Sequence, residues 1–95
     1  MPVPSDSPLL RDLLGQVVVV DLVSTYVCLG ELTGLDEVFL ELRDADFHDF
    51  RDGQASREVY VYESVRLGVR RNRARVLIRI ADVAAISRLD DIAES

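Results

Sequence analysis

The stretch QVVVVDLVSTYVCLGELTGLDEVFLELR, residues 16–43, decides the fold. Its first segment, about 16–23, is rich in β-branched residues, which fit a pleated strand. Apolar side chains occupy both of its faces, so this strand is expected to be covered on both sides. Ser24 and Thr25 leave room only for a hairpin. The second segment, about 26–33, is again strand-like, and Gly30 inside it predicts a sharp bend or bulge. Thr33-Gly34-Leu35-Asp36 supplies the next turn. Residues 37–43 then alternate. Val38, Leu40 and Leu42 point one way, Glu37, Glu41 and Arg43 the other, and Phe39 is the apolar residue on the polar face. Three sequential strands joined by short turns form a meander.

On the N-terminal side, Ser7 reads as a helix N-cap, Pro8 as a first helical residue and Gly15 as a stop. Leu9, Leu10, Leu13 and Leu14 share one face of this helix, about 8–14. A helix so short is not stable alone and must pack its leucines on the sheet. On the C-terminal side, Ala74 to Ile80 predicts a strand with Val76, Ile78 and Ile80 inward and Arg75, Leu77 and Arg79 outward. Ala81-Asp82 turns the chain, residues 83–87 predict a last short strand, and 88–95 reads as a fraying acidic tail. An insertion of roughly 45–73 separates the third and fourth strands. It opens on the acidic run Asp44, Asp46, Asp49, Asp52 and Gly53 and continues through residues 56–67. The valines of 56–67 alternate as in a strand. Ser56 as N-cap, Glu58 in the first turn, Arg66 in the last turn and Gly68 as stop fit a helix, and this complete punctuation favours the helix. A helix and five strands in so small a domain predict a bent sheet closing into a small barrel.

Composition narrows the function. The chain has 95 residues, 48% of them apolar, and a net charge of −6. One domain spanning 1–95 is expected, with a core so small that such chains often share it with a partner. The apolar runs are too short to span a membrane, and residues 1–6 lack a basic leader, so a soluble, cytoplasmic protein is expected. Cys28 is the only cysteine and His48 the only histidine. A Cys/His zinc site needs more ligands than that, and a Ser-His-Asp triad would have to draw on His48 alone. The 11 basic residues are all arginine, which removes Schiff-base and P-loop lysine chemistry. The acidic run fails as an EF-hand begun at Asp44, because Asp49 stands where glycine is needed and Ala55 where glutamate is needed. No catalytic residue, no metal and no cofactor is therefore expected. Cys28 reads as a small buried apolar residue.

The order of these residues resembles the Sm/LSm family, which includes bacterial Hfq. Leu14-Gly15, Val17, Val19, Tyr26, Gly30-Glu31-Leu32 and Asp36 occupy the places of the family's first motif. Val76-Leu77-Ile78-Arg79, then Val83, Ile86 and Ser87, occupy those of the second. The resemblance covers about 8–44 and 74–88 and omits the insertion. It implies a mainly β fold, an Sm-like, SH3-type five-stranded bent barrel with an N-terminal helix and an inserted helix or hairpin between strands 3 and 4. It also implies a cyclic homo-oligomer of about five to seven subunits. From the family's RNA pocket, Arg79 and Asp36 carry over. Val38 and Phe39 stand where the family has a base-binding Asn, and Ile80 stands where it has the Gly of Arg-Gly.

One charged feature stands apart. Arg66, Arg70, Arg71, Arg73, Arg75 and Arg79 lie in a run without an acid, while the rest of the chain is strongly acidic. Such asymmetry can make a patch for an anionic ligand. Equally, the arginines can pair with the acidic run or with a neighbouring subunit. Tyr60 and Tyr62 can stack on bases or simply pack the insertion on the barrel. Two functions stay open. The first is a ring binding single-stranded RNA or another polyanion through Arg70, Arg71, Arg73 and Arg79, with Phe39 and Asp36 beside the base. The second is a non-enzymatic structural or protein-interaction ring without nucleic-acid binding.

Overall fold

Val17 to Leu22 forms β1 and Tyr26–Leu35 forms β2, paired antiparallel from Val17↔Glu31 to Asp21↔Val27. β3 is Phe39–Asp49, β4 is Arg73–Arg79 and β5 is Val83–Arg88. Their order in the single antiparallel sheet is β4-β3-β2-β1-β5, so β4 and β5 are its two edges. The helices are α1, Pro8–Arg11, and α2, Arg57–Leu67. The computed structural model describes residues 7–49, 51 and 57–92, of which 57–60 as backbone alone. The sequence readings at Phe50, Asp52, Gly53, Ser56, the Tyr60 side chain and 93–95 lie outside these residues. Among the described residues no helix is long and apolar enough to cross a membrane.

β1 is buried on both faces, as its valines require. Val18, Val20 and Leu22 join Cys28, Leu32, Leu40, Leu42, Ala45 and Ile78 in the main core, which Leu10 and Leu13 of the N-terminal segment help cover. Val19 faces the other way, with Val27, Leu29 and Val61 of α2. Burying a leucine such as Leu29 or Leu42 fully contributes about 1.5–3 kcal/mol. Cys28 is fully buried, and that burial, with the Asp46 carboxylate adding to it, pushes its thiol up to about 12.

The N-terminal helix is shorter than the expected 8–14. The Ser7 hydroxyl accepts from the Leu10 N–H at 3.3 Å, and Pro8 follows it. After Arg11 the chain tightens: the N–H groups of Leu13 and Leu14 reach carbonyls only three residues back. This tightening turns Leu14 away from Leu10 and Leu13, so the four leucines do not share one buried face; Leu9 is 80% exposed. Gly15, at φ +82°, then donates to the Leu32 carbonyl and delivers the chain to β1.

β3 corrects the reading of the acidic run as the start of the insertion. The strand does not end at residue 43 but continues to Asp49, pairing Cys28↔Phe47 and Tyr26↔Asp49. A bulge hides it. Asp44 takes φ +50°, and the register slips between Leu29↔Asp46 and Glu31↔Arg43. Before the bulge the even residues Leu40 and Leu42 face the core; after it the odd residues Ala45 and Phe47 do. Phe47 stacks on Tyr26 with ring centroids 4.7 Å apart. Opposite the bulge lies Gly30, where a Cβ would stand 3.0 Å from both Cα and Cβ of Ala45.

The segment 57–67 is the helix, not the hairpin. The expected fraying tail is also corrected for 88–92. Leu89–Asp91 is a 3-10 turn, Leu89 and Ile92 pack on the Val19–Val27–Leu29 face, and the Arg88 guanidinium grips Asp91 at 2.9 and 3.0 Å. The remaining strand bounds fall within about two residues of those expected.

Gly30→Ala is expected to lower stability by about 1–3 kcal/mol, because backbone must shift to admit the methyl. Asp44→Gly removes the left-handed strain and is expected to stay within about 1 kcal/mol of the parent, whereas Asp44→Val should destabilise by about 1–2 kcal/mol. Thermal unfolding of the three variants checks this.

Candidate nucleic-acid interface

The β2–β3 turn is built around one carboxylate. Asp36 Oδ1 accepts the N–H groups of Val38 and Phe39 at 2.8 and 2.7 Å, and the Asp36 N–H donates to the Phe39 carbonyl. The Phe39 and Val38 N–H groups hold this carboxyl below its ordinary range. Asp36 thus fixes the start of β3 and the place of the half-exposed Phe39.

β4 then brings Arg79 to Phe39. The two are direct cross-strand partners, and the Ile80 N–H closes the corner on the Val38 carbonyl at 2.7 Å. The Arg79 side chain is 63% exposed, and its guanidinium holds Asp82 through Nε at 3.0 Å and Nη2 at 3.3 Å. Beside Phe39 a groove of about 240 Å³ runs between Leu35, Leu77, Arg75 and Glu41. Glu41 accepts Thr33 Oγ1 at 2.7 Å and Arg75 Nε at 2.5 Å, with Arg43 at 3.7 Å. The Thr33 hydroxyl first and Arg75 second keep its carboxyl low. Phe39 is therefore joined to the Asp36 turn and, across the ladder, to Arg79. Leu77 and Glu41 complete the groove; only their outward place in the alternation announced them.

Apart from Arg75, the other arginines of the run do not line this groove. Arg73 and Arg79 are the two ends of β4, about 20 Å apart along a strand of this length. Arg71 Nη1 is paired with Asp44 Oδ1 at 2.9 Å. Arg73 lies over the Phe47 ring at 5.9 Å, and Arg66 over Tyr62 at 5.8 Å. Arg70 lines a small cavity of about 40 Å³ with Asp46, Glu63 and Ser64. Asn72 stitches this end of β4 to β3: its N–H reaches the Ala45 carbonyl, its Oδ1 accepts the Phe47 N–H, and its Nδ2 reaches Asp46 Oδ1 and the Phe47 carbonyl. So one continuous patch through Arg70, Arg71, Arg73 and Arg79 is not what the chain forms. Much of the run is engaged with its own acids and rings, because β4 pairs with the acid-bearing β3.

Asp44 and Asp49 of the acidic run are likewise engaged with arginines. Arg51 clamps Asp49 through its backbone N–H at 3.0 Å and its guanidinium at 3.0 and 3.3 Å. Among the described residues no three His, Cys, Asp or Glu side chains gather as a metal site.

No protein-family model matches the chain, and no curated protein matches it in sequence. Solved structures do match in fold. The Sm protein of Pyrococcus abyssii, in complex with a uridine heptamer, aligns at TM-score 0.58 and 24% identity over 87% of this chain and 99% of that one. A chain from the NatC complex bound to Gag peptide and CoA aligns at TM-score 0.54 and 20% identity, covering 81% of this chain and 86% of its own. The fold is thus Sm-like: mainly β, a bent open sheet of five antiparallel strands with an N-terminal helix.

The Arg51 side chain, aided by its N–H, lowers the Asp49 carboxyl to about 2. The unfolded carboxyl titrates near about 3.9, so this contact stabilises the fold above that pH and is lost as pH falls through about 2. Asp49→Asn is expected to flatten the acid limb of a stability profile between about pH 4 and 2. Urea titrations at stepped pH check the slope.

Proposed function

We propose that the chain is a non-enzymatic subunit of a cytoplasmic Sm-like homo-oligomeric ring that binds single-stranded RNA, each subunit taking one base where Phe39 lies beside Arg79. The observation that carries this reading is the cross-strand pairing of Phe39 with Arg79, held in place by the Asp36 turn. An aromatic face accepts any base by stacking, and a guanidinium supplies both a hydrogen-bond donor and a cation for phosphate. Phe39 in place of an amide exchanges base readout for stacking, so little sequence preference is expected. The fold neighbour bound to a uridine heptamer supports the reading by analogy alone. A ring repeats the position, and multiplicity strengthens weak contacts.

One observation favours the second reading, a protein-interaction ring without nucleic acid. Arg71, Arg75 and Arg79 already hold carboxylates, on a chain of net charge −6. Fluorescence anisotropy with oligouridine and with a mixed-sequence RNA at two salt concentrations separates the readings. The RNA reading expects binding at low salt that falls by about 0.7 log unit per log unit of salt for each phosphate neutralised. It also expects Phe39→Ala to weaken binding by about five- to a hundredfold, the worth of one stacked base. Arg70→Ala/Arg71→Ala/Arg73→Ala should weaken it less than Arg79→Ala. No binding by the parent at low salt leaves the protein-interaction ring.

A further inference from the structure

The face of the sheet that α2 covers keeps a groove of its own. Val19, Val27 and Leu29 of this face are buried with Val61 of α2. Further along the same face stand Val17 on β1 and Glu31 on β2, which are direct cross-strand partners. α2 stops beside them. Gly68, at φ +89°, donates its N–H to the Ser64 carbonyl at 2.9 Å and turns the chain out of the helix. What remains is a groove of about 460 Å³. Val69, just after α2, and Leu89 of the C-terminal turn form its walls, and Val17 and Gly30 its floor. A volume of this order is that of a ligand site rather than a packing gap.

Glu31 lines this groove and is partly buried there, yet among the described residues it has no hydrogen-bond or ion-pair partner. The charged groups around it are engaged. Asp44 holds Arg71 at 2.9 Å on the rim, and Arg43, across the ladder from Glu31, lies 3.7 Å from Glu41. Val17 is 41% exposed, and Leu67, beside Gly68, is 66% exposed, so apolar surface continues at the mouth of the groove.

This combination selects an occupant. A wholly apolar segment would strip water from the Glu31 carboxylate and return nothing, and an acidic one would add repulsion. A cation on an aliphatic stem satisfies both parts: its methylenes lie along the apolar walls while its head pairs with the carboxylate. The net charge of −6 attracts such an occupant from a distance. A compact ammonium suits one carboxylate, whereas a guanidinium fork calls for a second acceptor, and Asp44 is already taken by Arg71. The groove is wider than one side chain, so the residues flanking the cation fill the rest. We propose that this groove docks a segment of a partner protein in which a lysine stands between apolar residues, with Glu31 receiving the ammonium. The chain holds no lysine, so the partner is a different protein. The proposal does not rest on RNA binding at Phe39 and Arg79, neither of which lines the groove.

An amide-resolved NMR titration of the full chain with a blocked five-residue peptide, a lysine between valines, tests this. The amides of Val17, Gly30, Glu31, Gly68 and Val69 are expected to shift and saturate, and those of Phe39 and Arg79 to stay in place. The same peptide with norleucine for lysine keeps the stem and loses the charge, and is expected to bind at least about tenfold more weakly. Glu31→Gln should weaken the lysine peptide by the same factor and erase the difference between the two peptides. Its melting should match the parent, since Glu31 makes no contact that the fold uses; the two peptides on the parent decide the matter even if that variant does not fold. No shifts at millimolar peptide, equal binding of both peptides, or shifts confined to other amides overturns the proposal. Hexylammonium binding as tightly as the lysine peptide overturns it too, because the flanking residues of a protein segment then contribute nothing.

Discussion

The close approach of Gly30 to the bulge at Asp44 and Ala45 is the constraint on which the rest depends. At that point β3 carries one residue more than β2, and the Ala45 backbone presses where a side chain of residue 30 would stand. A bulge increases local twist and bends the strand that carries it. The bend lets β3 continue past residue 43 with its facing parity reversed. The main core is closed from one half of β3 by Leu40 and Leu42 and from the other by Ala45 and Phe47. It also places Asp46 within reach of Asn72, so that β4 begins where β3 has turned. Without the inserted residue the apolar side chains of the two halves of β3 would face opposite sides of the sheet.

This dependence explains what the sequence made legible. The meander, the bend at Gly30 and the two-sided burial of β1 followed from β-branched runs, alternation and one glycine. Alternation is a parity signal, and a single inserted residue cancels it. Beyond Asp44 the pattern Ala45, Phe47 falls out of phase with Leu40, Leu42, and the intervening aspartates then read as loop. Asp44 itself gave no warning, because nothing in its type announces a left-handed backbone at that place. The helix end was overrun for a different reason. Leucine spacing does not distinguish four-residue from three-residue hydrogen bonding, and the tighter turn after Arg11 is set by how the chain must meet Leu32.

At the candidate site, Asp36 and Arg79 were suggested by the family resemblance, and Phe39 by its apolar side chain on an otherwise polar strand face. For the arginine run the sequence left two readings open, a patch or pairing with the acidic run, and Arg71 on Asp44 follows the second. A run of like charges in sequence suggests a patch, but a strand sends alternate residues to opposite faces and pairs them with whatever its neighbour carries. β3 carries Glu41 and Asp44, so Arg75 on β4 and Arg71 just before it find carboxylates there. Exposed pairs of this kind contribute little to stability, about 0–1 kcal/mol each. Their effect is to lower the positive potential that a polyanion would meet.

The bend at Gly30 has a geometric meaning beyond this one chain. It fixes the angle between the directions in which the two sheet edges look outward. In any edge-to-edge assembly that angle is the rotation from one copy to the next, and a full circle divided by it is the number of copies that close. Were copies to join edge to edge, a change of a few degrees at this bend would add up around the assembly and alter the number of copies that closes it.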